Sequence, residues 1–417
     1  MFCREENEFS MKVDQAVILV AGKGTRMWPL TLTRPKPLVK IANKSLLEIK
    51  LNALTSLVKE VILVVGYKGE MVKKIIGKKY KNLRIKYVWQ RKQKGTAHAL
   101  METEKLLKER FLLLYGDDIH TKEDIERCLK KFPCIAAIQV KNPSLYGVIV
   151  AERNLVKDII EKPKKFIGDL VNPGILYLPK SILKEKIEES ERKEYEVPDF
   201  LRKFAKKEKL YFVKIKEWLP VSYPWHLLRA NEFFLKKIKR KIEGKIEKGC
   251  HILGPVFVKE GTEIKSGTYI EGPVLIGKNC QIGPNCYIRK FTTIGDNCRI
   301  GQAVEIKNSI IGDGSKISHL SYVGDSIIGE NCNLGAGTIV ANLRFDEKTI
   351  KTKVKGKLQD TERKKFGCVL GDNVKTGINV SLMPGVMIGA NSIVYPHTIV
   401  FKNIKENTIF KGSKRFS

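Results

Sequence analysis

The chain has 417 residues, room for two or three domains at about 150 residues each. An apolar fraction of 43% with 29% charged residues suits a folded chain and excludes a disordered one, and no apolar run reaches membrane-spanning length. The net charge is +32, but the lysine clusters at 73–86 and 236–248 are broken by apolar residues and come with no nucleic-acid motif, so they read as solvated faces and nucleic acid is not the expected partner. The same positive field favours small anionic substrates.

The first residues, MFCREENEFSMK, lack the apolar stretch of a secretory signal, so a cytoplasmic location is expected. Met11 offers an alternative start, which would leave 1–10 as an extension. None of the nine cysteines forms a CxxC pair. Five of them, Cys250, Cys280, Cys286, Cys298 and Cys332, share one phase of the repeat described below, which predicts small buried residues and not metal ligands.

Residues 16–20 form an apolar run of strand type, followed by the turn Ala21-Gly22-Lys23-Gly24-Thr25-Arg26 and a proline-rich segment with Lys36 between Pro35 and Pro37. Small residues let a backbone approach phosphates, and the N–H groups of such a loop make an anion cradle. Arg26 and Lys36 add fixed positive charge, so the stretch predicts a nucleoside-triphosphate site. Further strands are expected at Glu60–Val65, Leu83–Trp89, 111–115 and 134–140, with helices at 46–57, 70–76, 96–107 and 122–131. Strand–helix alternation predicts a mainly parallel sheet, whose ligands bind beyond the C-terminal strand ends. Asp117 follows a strand there, next to the glycine loop, and is a candidate Mg²⁺ ligand. By itself it is a turn or capping residue, and Asp118 is the candidate cap.

The segments AGKGTRMWPLT, RPKPL, WQRKQKGTAHAL, YGDD, YGVI, EKP and VNPGI, in that order over 16–230, resemble the sugar-1-phosphate nucleotidylyltransferase family. The resemblance implies attack of a sugar phosphate on the α-phosphorus of UTP (or dTTP), with release of pyrophosphate. It implies Arg26 and Lys36 as the catalytic cations and Ala21, Gly22, Gly24, Thr25, Gln90, Gly95 and Thr96 around the nucleotide. Gly147, Glu161 and Asn172 would hold the sugar and Asp117 the Mg²⁺. The second metal ligand of the family aligns with Pro220, which has no donor side chain, leaving Ser222, His226 or water for that role.

A helix is expected over 224–242. From Ile246 an aliphatic residue recurs every six positions through Ile306. Two five-residue steps follow, to Ile311 and to Ile328, and the series resumes after an interruption at 344–367 to run from Leu370 to Val400. A six-residue period marks a parallel β-helix with three hexads per coil, here roughly seven coils stacked about 4.8 Å apart. The pattern resembles the left-handed form of hexapeptide-repeat acyltransferases. His319 alone reads as a surface histidine.

Its setting, GSKISHLSYVGDSIIGENCNLGAGTIVAN, closely resembles the acetyltransferase half of bifunctional N-acetylglucosamine-1-phosphate uridylyltransferases/glucosamine-1-phosphate acetyltransferases. This implies His319 as the general base, Arg289 and Lys307 on the sugar phosphate, Tyr322, Asn333 and Asn342 on the sugar, and Lys348 reaching in from the insert. Ala336 and Gly337 would line the acetyl-CoA path, in a homotrimer with no membrane partner.

The expected layout is an N-terminal extension (1–10), an α/β Rossmann-like nucleotidyltransferase domain (11–225), a linker helix (226–245) and a left-handed β-helix acetyltransferase domain (246–417) with an insert at 344–367. The expected function is acetylation of glucosamine-1-phosphate and uridylyl transfer to the product. A glucose-1-phosphate thymidylyl- or uridylyltransferase with a non-catalytic β-helix stands as the alternative, as does an acetyltransferase with a weak or inactive first domain.

Overall fold

The computed structural model describes residues 13–412, so the extension expected over 1–10 lies outside the described residues. The chain divides into two compact units. The first holds the described residues of Met1–Lys23 with Leu46–Pro220; the second holds Gly24–Ser45 with the described residues of Val221–Ser417.

The first unit is built on an 11-stranded mixed sheet. At its centre Arg110–Tyr115, Gln15–Leu19, Glu60–Val65 and Leu83–Trp89 lie side by side and parallel. Val61 to Val65 are buried throughout, as a strand covered by helices on both faces requires. Antiparallel strands flank this centre, among them Ile175–Pro179 against Arg110–Tyr115. The strands Glu60–Val65 and Leu83–Trp89 keep their expected bounds. The helix expected over 96–107 breaks into Thr96–Met101 and a 3-10 turn at Glu104–Leu106. There the Thr103 hydroxyl donates to the Leu100 carbonyl at 2.6 Å, a local bond that competes with helix continuation.

The parallel order places the loop after Gln15–Leu19 and the turn after Arg110–Tyr115 at neighbouring strand ends. Gly116 is fitted to this position. Its N–H donates to the Leu19 carbonyl at 3.1 Å, and a Cβ there would stand 2.2 Å from that oxygen.

In the second unit, helix His226–Leu235 leads into three parallel sheets of 8, 9 and 8 strands that form the left-handed β-helix. Each strand pairs with the one a full coil later, as Ile264 does with Ile282 and Ile282 with Ile300. The six-residue series points inward: Ile264, Ile282, Ile300, Ile317, Leu334 and Val394 are buried in one continuous core. The helix expected over 224–242 stops at Leu235, and Lys241–Ile242 already pairs with Phe257–Val258 as a rung. The solenoid therefore begins before 246 and has more coils than the roughly seven expected, because Ile242 caps the core where helical spacing had been read.

Asparagines in the left-handed region turn many of the corners, including Asn279, Asn297, Asn331 and Asn373. Cys280, Cys286, Cys298 and Cys332 are buried beside the inward aliphatics, and Cys250 is partly buried there. The insert carries a hairpin of Lys351–Val354 and Lys357–Asp360. No helix among the described residues is long and apolar enough to cross a membrane.

Candidate active sites

In the first unit the loop residue Ala21 is fixed through its carbonyl, which accepts from the Tyr67 N–H at 3.0 Å and the Gln93 amide at 2.8 Å. A Cβ at the exposed Gly22 would meet nothing within 4 Å. Gln90 donates from Nε2 to the Gly95 carbonyl at 2.9 Å, and the Thr96 hydroxyl accepts from the Val197 N–H at 3.0 Å. Gly95 stands at φ 106° against the Tyr195 backbone. Thus Gln90, Gly95 and Thr96 are brought together and tied to the start of helix Val197–Lys207.

Gly147, Glu161 and Asn172 also converge. Gly147 pairs with Glu161 across an antiparallel ladder, and the Asn172 N–H donates to the Gly147 carbonyl at 2.9 Å. Burial raises the Glu161 carboxyl above its ordinary value, against the pull of Lys162 and Arg192.

Asp117 occupies the turn before Asp118–His120, a short strand paired antiparallel with Trp218–Pro220. The register sets Pro220 opposite Asp118, so the residue aligned with the second metal ligand meets the acidic turn without a side-chain oxygen to offer. A Mg²⁺ ion commonly keeps several waters and takes one or two protein carboxylates plus substrate phosphates. Asp117 and Asp118 are the carboxylates that this turn offers. Among the described residues no group of three or more His, Cys, Asp and Glu side chains is assembled for a metal.

Sequence reasoning passed over the support behind this turn. Buried Lys50 donates to the Asp118 carbonyl at 2.6 Å and lies 3.2 Å from His120 Nδ1, while His120 Nε2 donates to the Pro173 carbonyl at 2.7 Å. These contacts assign His120 as neutral. Burial, followed by the Lys50 charge, holds it well below the ordinary histidine value. The network joins the acidic turn to the Asn172-Pro173-Gly174 loop.

The second unit carries the other half of the glycine loop. Gly24, at φ 62°, receives the Lys36 stem so closely that a Cβ would lie 2.9 Å from Lys36 Cβ. The Thr31 hydroxyl donates to the Gly24 carbonyl at 3.0 Å. Thr25 opens the 3-10 turn Thr25–Met27, and Lys36 opens a second, Lys36–Leu38. Arg26 is exposed, with its guanidinium 5.7 Å from the Tyr223 ring centre.

On the β-helix, His319 ends strand Lys316–His319 and is exposed at a corner, where Leu320 takes φ 47°. The Gly337 N–H approaches the His319 carbonyl at 3.4 Å, and Ala336 accepts from the Asn379 N–H at 2.8 Å. Asn333 lies one rung along the same sheet, paired with Lys316.

Across the corner, Tyr322, Asn342, Lys307 and Arg289 gather around a residue that was not foreseen. Asp325, 3% exposed, accepts from Asn308 at 2.6 Å and from Asn342 at 2.7 Å, and it pairs with Lys307 at 3.9 Å and Arg363 at 3.6 Å. Asn342 also donates to the Tyr322 hydroxyl at 3.2 Å, and Arg289 donates to Glu305 at 2.9 Å. Burial, followed by the neighbouring cations Lys365 and Arg289, lowers the Lys307 ammonium below its ordinary value despite Asp325.

Asn308 and Asp325 sit in the two five-residue steps of the repeat, so the shortened corners were the sequence signal for this centre. Arg363 and Lys365 come from the insert. Lys348, by contrast, is exposed, and its N–H approaches Asp346 within the insert at 3.3 Å; the structure does not bring it to this cluster.

These features meet in the comparisons with known proteins. The Nucleotidyl transferase model matches residues 15–237 and the GMPPB C-terminal domain model matches 270–410. The solved structure of a UDP-glucose pyrophosphorylase complexed with UDP-glucose shares the fold at a TM-score of 0.50 and 22% identity, covering 54% of this chain and 99% of that one. The chain thus carries a nucleotidyltransferase half joined to a β-helix half. It is 47% identical to the Bifunctional protein GlmU of Methanococcus maripaludis strain C7 over 94% of this chain and 96% of that protein. It is 40% identical to the bifunctional sugar-1-phosphate nucleotidylyltransferase/acetyltransferase of Sulfurisphaera tokodaii over 95% of this chain and 100% of that protein. The chain belongs to this bifunctional GlmU family of archaeal type.

Proposed function

We propose that the chain carries out two consecutive steps of UDP-N-acetylglucosamine synthesis, with acetyl-CoA and UTP as co-substrates. The β-helix half acetylates glucosamine-1-phosphate. His319 takes a proton from the sugar amine, the nitrogen attacks the thioester carbonyl, and CoA leaves as its thiolate. An imidazole titrates near working pH, which suits it to that exchange. Arg289 and Lys307 hold the phosphate, Tyr322, Asn333 and Asn342 orient the sugar, and Ala336 and Gly337 border the acetyl-CoA path. The pairing of Lys307 and Arg363 with buried Asp325, just past the strand that follows the His319 corner, is the observation that supports this reading.

In the other half the sugar phosphate attacks the α-phosphorus and pyrophosphate departs. This chemistry needs positioning and charge neutralisation more than covalent help. Arg26 and Lys36 supply fixed charge to the phosphates. Ala21, Gly22, Gly24 and Thr25 offer backbone at the nucleotide, Gln90, Gly95 and Thr96 flank the base, and Gly147, Glu161 and Asn172 hold the sugar. Mg²⁺, when bound, neutralises phosphate oxygens, with Asp117 as its protein ligand. Pro220 opposite Asp118 favours a second reading, an efficient acetyltransferase with a slow nucleotidyltransferase half.

A homotrimer fits the β-helix. Exposed Leu253, Tyr269, Ile339 and Ile399 share the sheet that bears Lys307 and Tyr322, an apolar face suited to a second copy. Acetyl-CoA and UTP as co-substrates support a cytoplasmic location.

The test is an assay of both half-reactions on His319→Ala. Acetyl transfer should fall by about 10²–10⁴-fold, the typical contribution of a general base, while pyrophosphate release from UTP and N-acetylglucosamine-1-phosphate stays unchanged. Parallel loss of both activities in a folded protein would refute two separate sites.

A further inference from the structure

The β-helix carries an acidic row along one corner. Four coils in succession place an acid two residues after the inward aliphatic: Asp296, Asp313, Glu330 and Asp372. The flanking coils have Lys278 and Ala390 at that position. The row partly stitches the coils together. Asp313 Oδ1 accepts from the Asp296 N–H at 3.0 Å, and Asp372 Oδ1 accepts from the Glu330 N–H at 2.8 Å.

The second oxygen of each aspartate does something else. Asp313 Oδ2 takes the Lys40 ammonium, and Asp372 Oδ2 takes the Arg34 guanidinium at 2.5 Å. Glu330 holds the other arm of Arg34, and the Thr33 hydroxyl also donates to Asp372. Arg34 is 17% exposed and Asp372 8% in their side chains, so these pairs are largely out of water. Burial opposes the charge on Arg34, yet Glu330 and Asp372 outweigh it and push the guanidinium above its ordinary value. Leu30 and Val39 are buried and share a small cavity with Ile310 and Ile327, and Asn43 donates to the Ile294 carbonyl at 2.8 Å.

Coil spacing, charge and apolar contact agree along the whole segment. It is the same segment that begins at Gly24 and bears Arg26 and Lys36, with the Lys36 stem packed on Gly24. Lys36 lies two residues from Arg34 and four from Lys40, so the anchors bracket it.

We propose that this acidic corner is the positioning element for nucleotidyl transfer: Asp313, Glu330 and Asp372, acting through Lys40 and Arg34, hold the segment that presents Arg26 and Lys36 to the triphosphate. The inference rests on the phosphate-binding role given above to those two cations. None of the three acids belongs to the centre around His319 and Asp325.

The experiment uses the full chain and three variants: Arg34→Gln, Arg34→Lys, and Glu330→Gln combined with Asp372→Asn. The kcat and KM for UTP and the rate of acetyl transfer are measured on each. A displacement of about 1 Å costs up to about 10²-fold in rate, so Arg34→Gln and the double variant should lose about 10–100-fold in nucleotidyl kcat. Acetyl transfer should stay within about twofold, which shows the β-helix intact, and Arg34→Lys should recover only part of the lost kcat, because it keeps the charge but cannot span Glu330 and Asp372 as the guanidinium fork does. Unchanged nucleotidyl kcat in Arg34→Gln would overturn the proposal, and so would equal loss of both activities.

Lys36→Ala and Arg26→Ala separate the two layers of the argument. If they leave nucleotidyl transfer intact, the phosphate-binding reading fails and this inference falls with it. If they abolish transfer while the Arg34 variants do not, the positioning role alone fails. Where turnover of the parent is too slow to measure, the calorimetric dissociation constant for UTP replaces it; about 10-fold weakening in Arg34→Gln is expected, and no change refutes the proposal.

Discussion

Lys307 shows how one residue sets a pH response. Its ammonium is buried between Asp325, which favours the charge, and Lys365 and Arg289, which oppose it; burial is the largest influence and the net shift is downward from 10.5. A lysine so shifted loses its proton earlier than an ordinary lysine as pH rises. A phosphate held by it should therefore be released on the alkaline side, below the pH at which a solvated lysine would let go. The KM for glucosamine-1-phosphate is expected to rise on the alkaline side, by up to about 10-fold if the charged hydrogen bond contributes about 1.5 kcal/mol. Lys307→Arg, whose guanidinium stays charged, should flatten the KM profile. An equally steep rise in that variant would assign the effect elsewhere.

Helix His226–Leu235 depends on one buried amide. Asn231, fully buried, accepts from the Ala42 N–H at 2.9 Å and the Thr293 hydroxyl at 2.8 Å, and donates to the Phe291 carbonyl at 3.0 Å. It joins the helix, the segment before Leu46 and a β-helix corner. Asn231→Leu keeps the number and branching of the side-chain heavy atoms but leaves these three groups without their partner. Each buried orphan costs about 1–3 kcal/mol, so the loss should be about 3 kcal/mol or more, read as a lower urea midpoint with an unchanged m-value. A variant as stable as the parent would show that water or local rearrangement replaces the amide.

The elements differ in how far the sequence foretells them. The inward row was plain because an inward hexad position admits little but an aliphatic side chain, and the parallel strands were plain because burial on both faces demands a continuous apolar run. Asn231 was hidden because its helical spacing is that of an apolar face, and only the fold brings Ala42 and Phe291 to it. Asp325 was hidden because a corner acid reads as a turn residue. Its partners Asn308 and Asn342 are one coil away on either side, a relation that needs the rung register. The acidic corner and its cations were likewise separate features until the chain between Gly24 and Ser45 was seen to belong with the β-helix.

At the scale of the whole molecule the two half-reactions differ in what they ask of a metal, and this permits a test on a single sample. On the proposed reading the acetyl-transfer centre would rely on an imidazole and on fixed cations from Arg289, Lys307 and the insert; its chemistry would pass a proton and displace a thiolate without building up phosphate charge. Nucleotidyl transfer develops negative charge on phosphate oxygens, and Mg²⁺ is the usual partner for it. Here Pro220 faces Asp118 and lends no side-chain carboxylate, so on the proposed reading the nucleotide would carry much of the metal coordination. Chelation by EDTA should therefore abolish pyrophosphate release while leaving acetyl transfer within about twofold of its starting rate. Adding Mg²⁺ back should restore nucleotidyl transfer only as the metal saturates the nucleotide. Pro220→Asp supplies the missing carboxylate at the strand position opposite Asp118 and should lower the half-saturating Mg²⁺ concentration by about 10-fold, the effect of about 1.4 kcal/mol of added binding. A parent already saturated by trace metal, or a Pro220→Asp variant with an unchanged Mg²⁺ requirement, would show that other ligands complete the shell. Loss of acetyl transfer on chelation would contradict the division of labour proposed for the two halves.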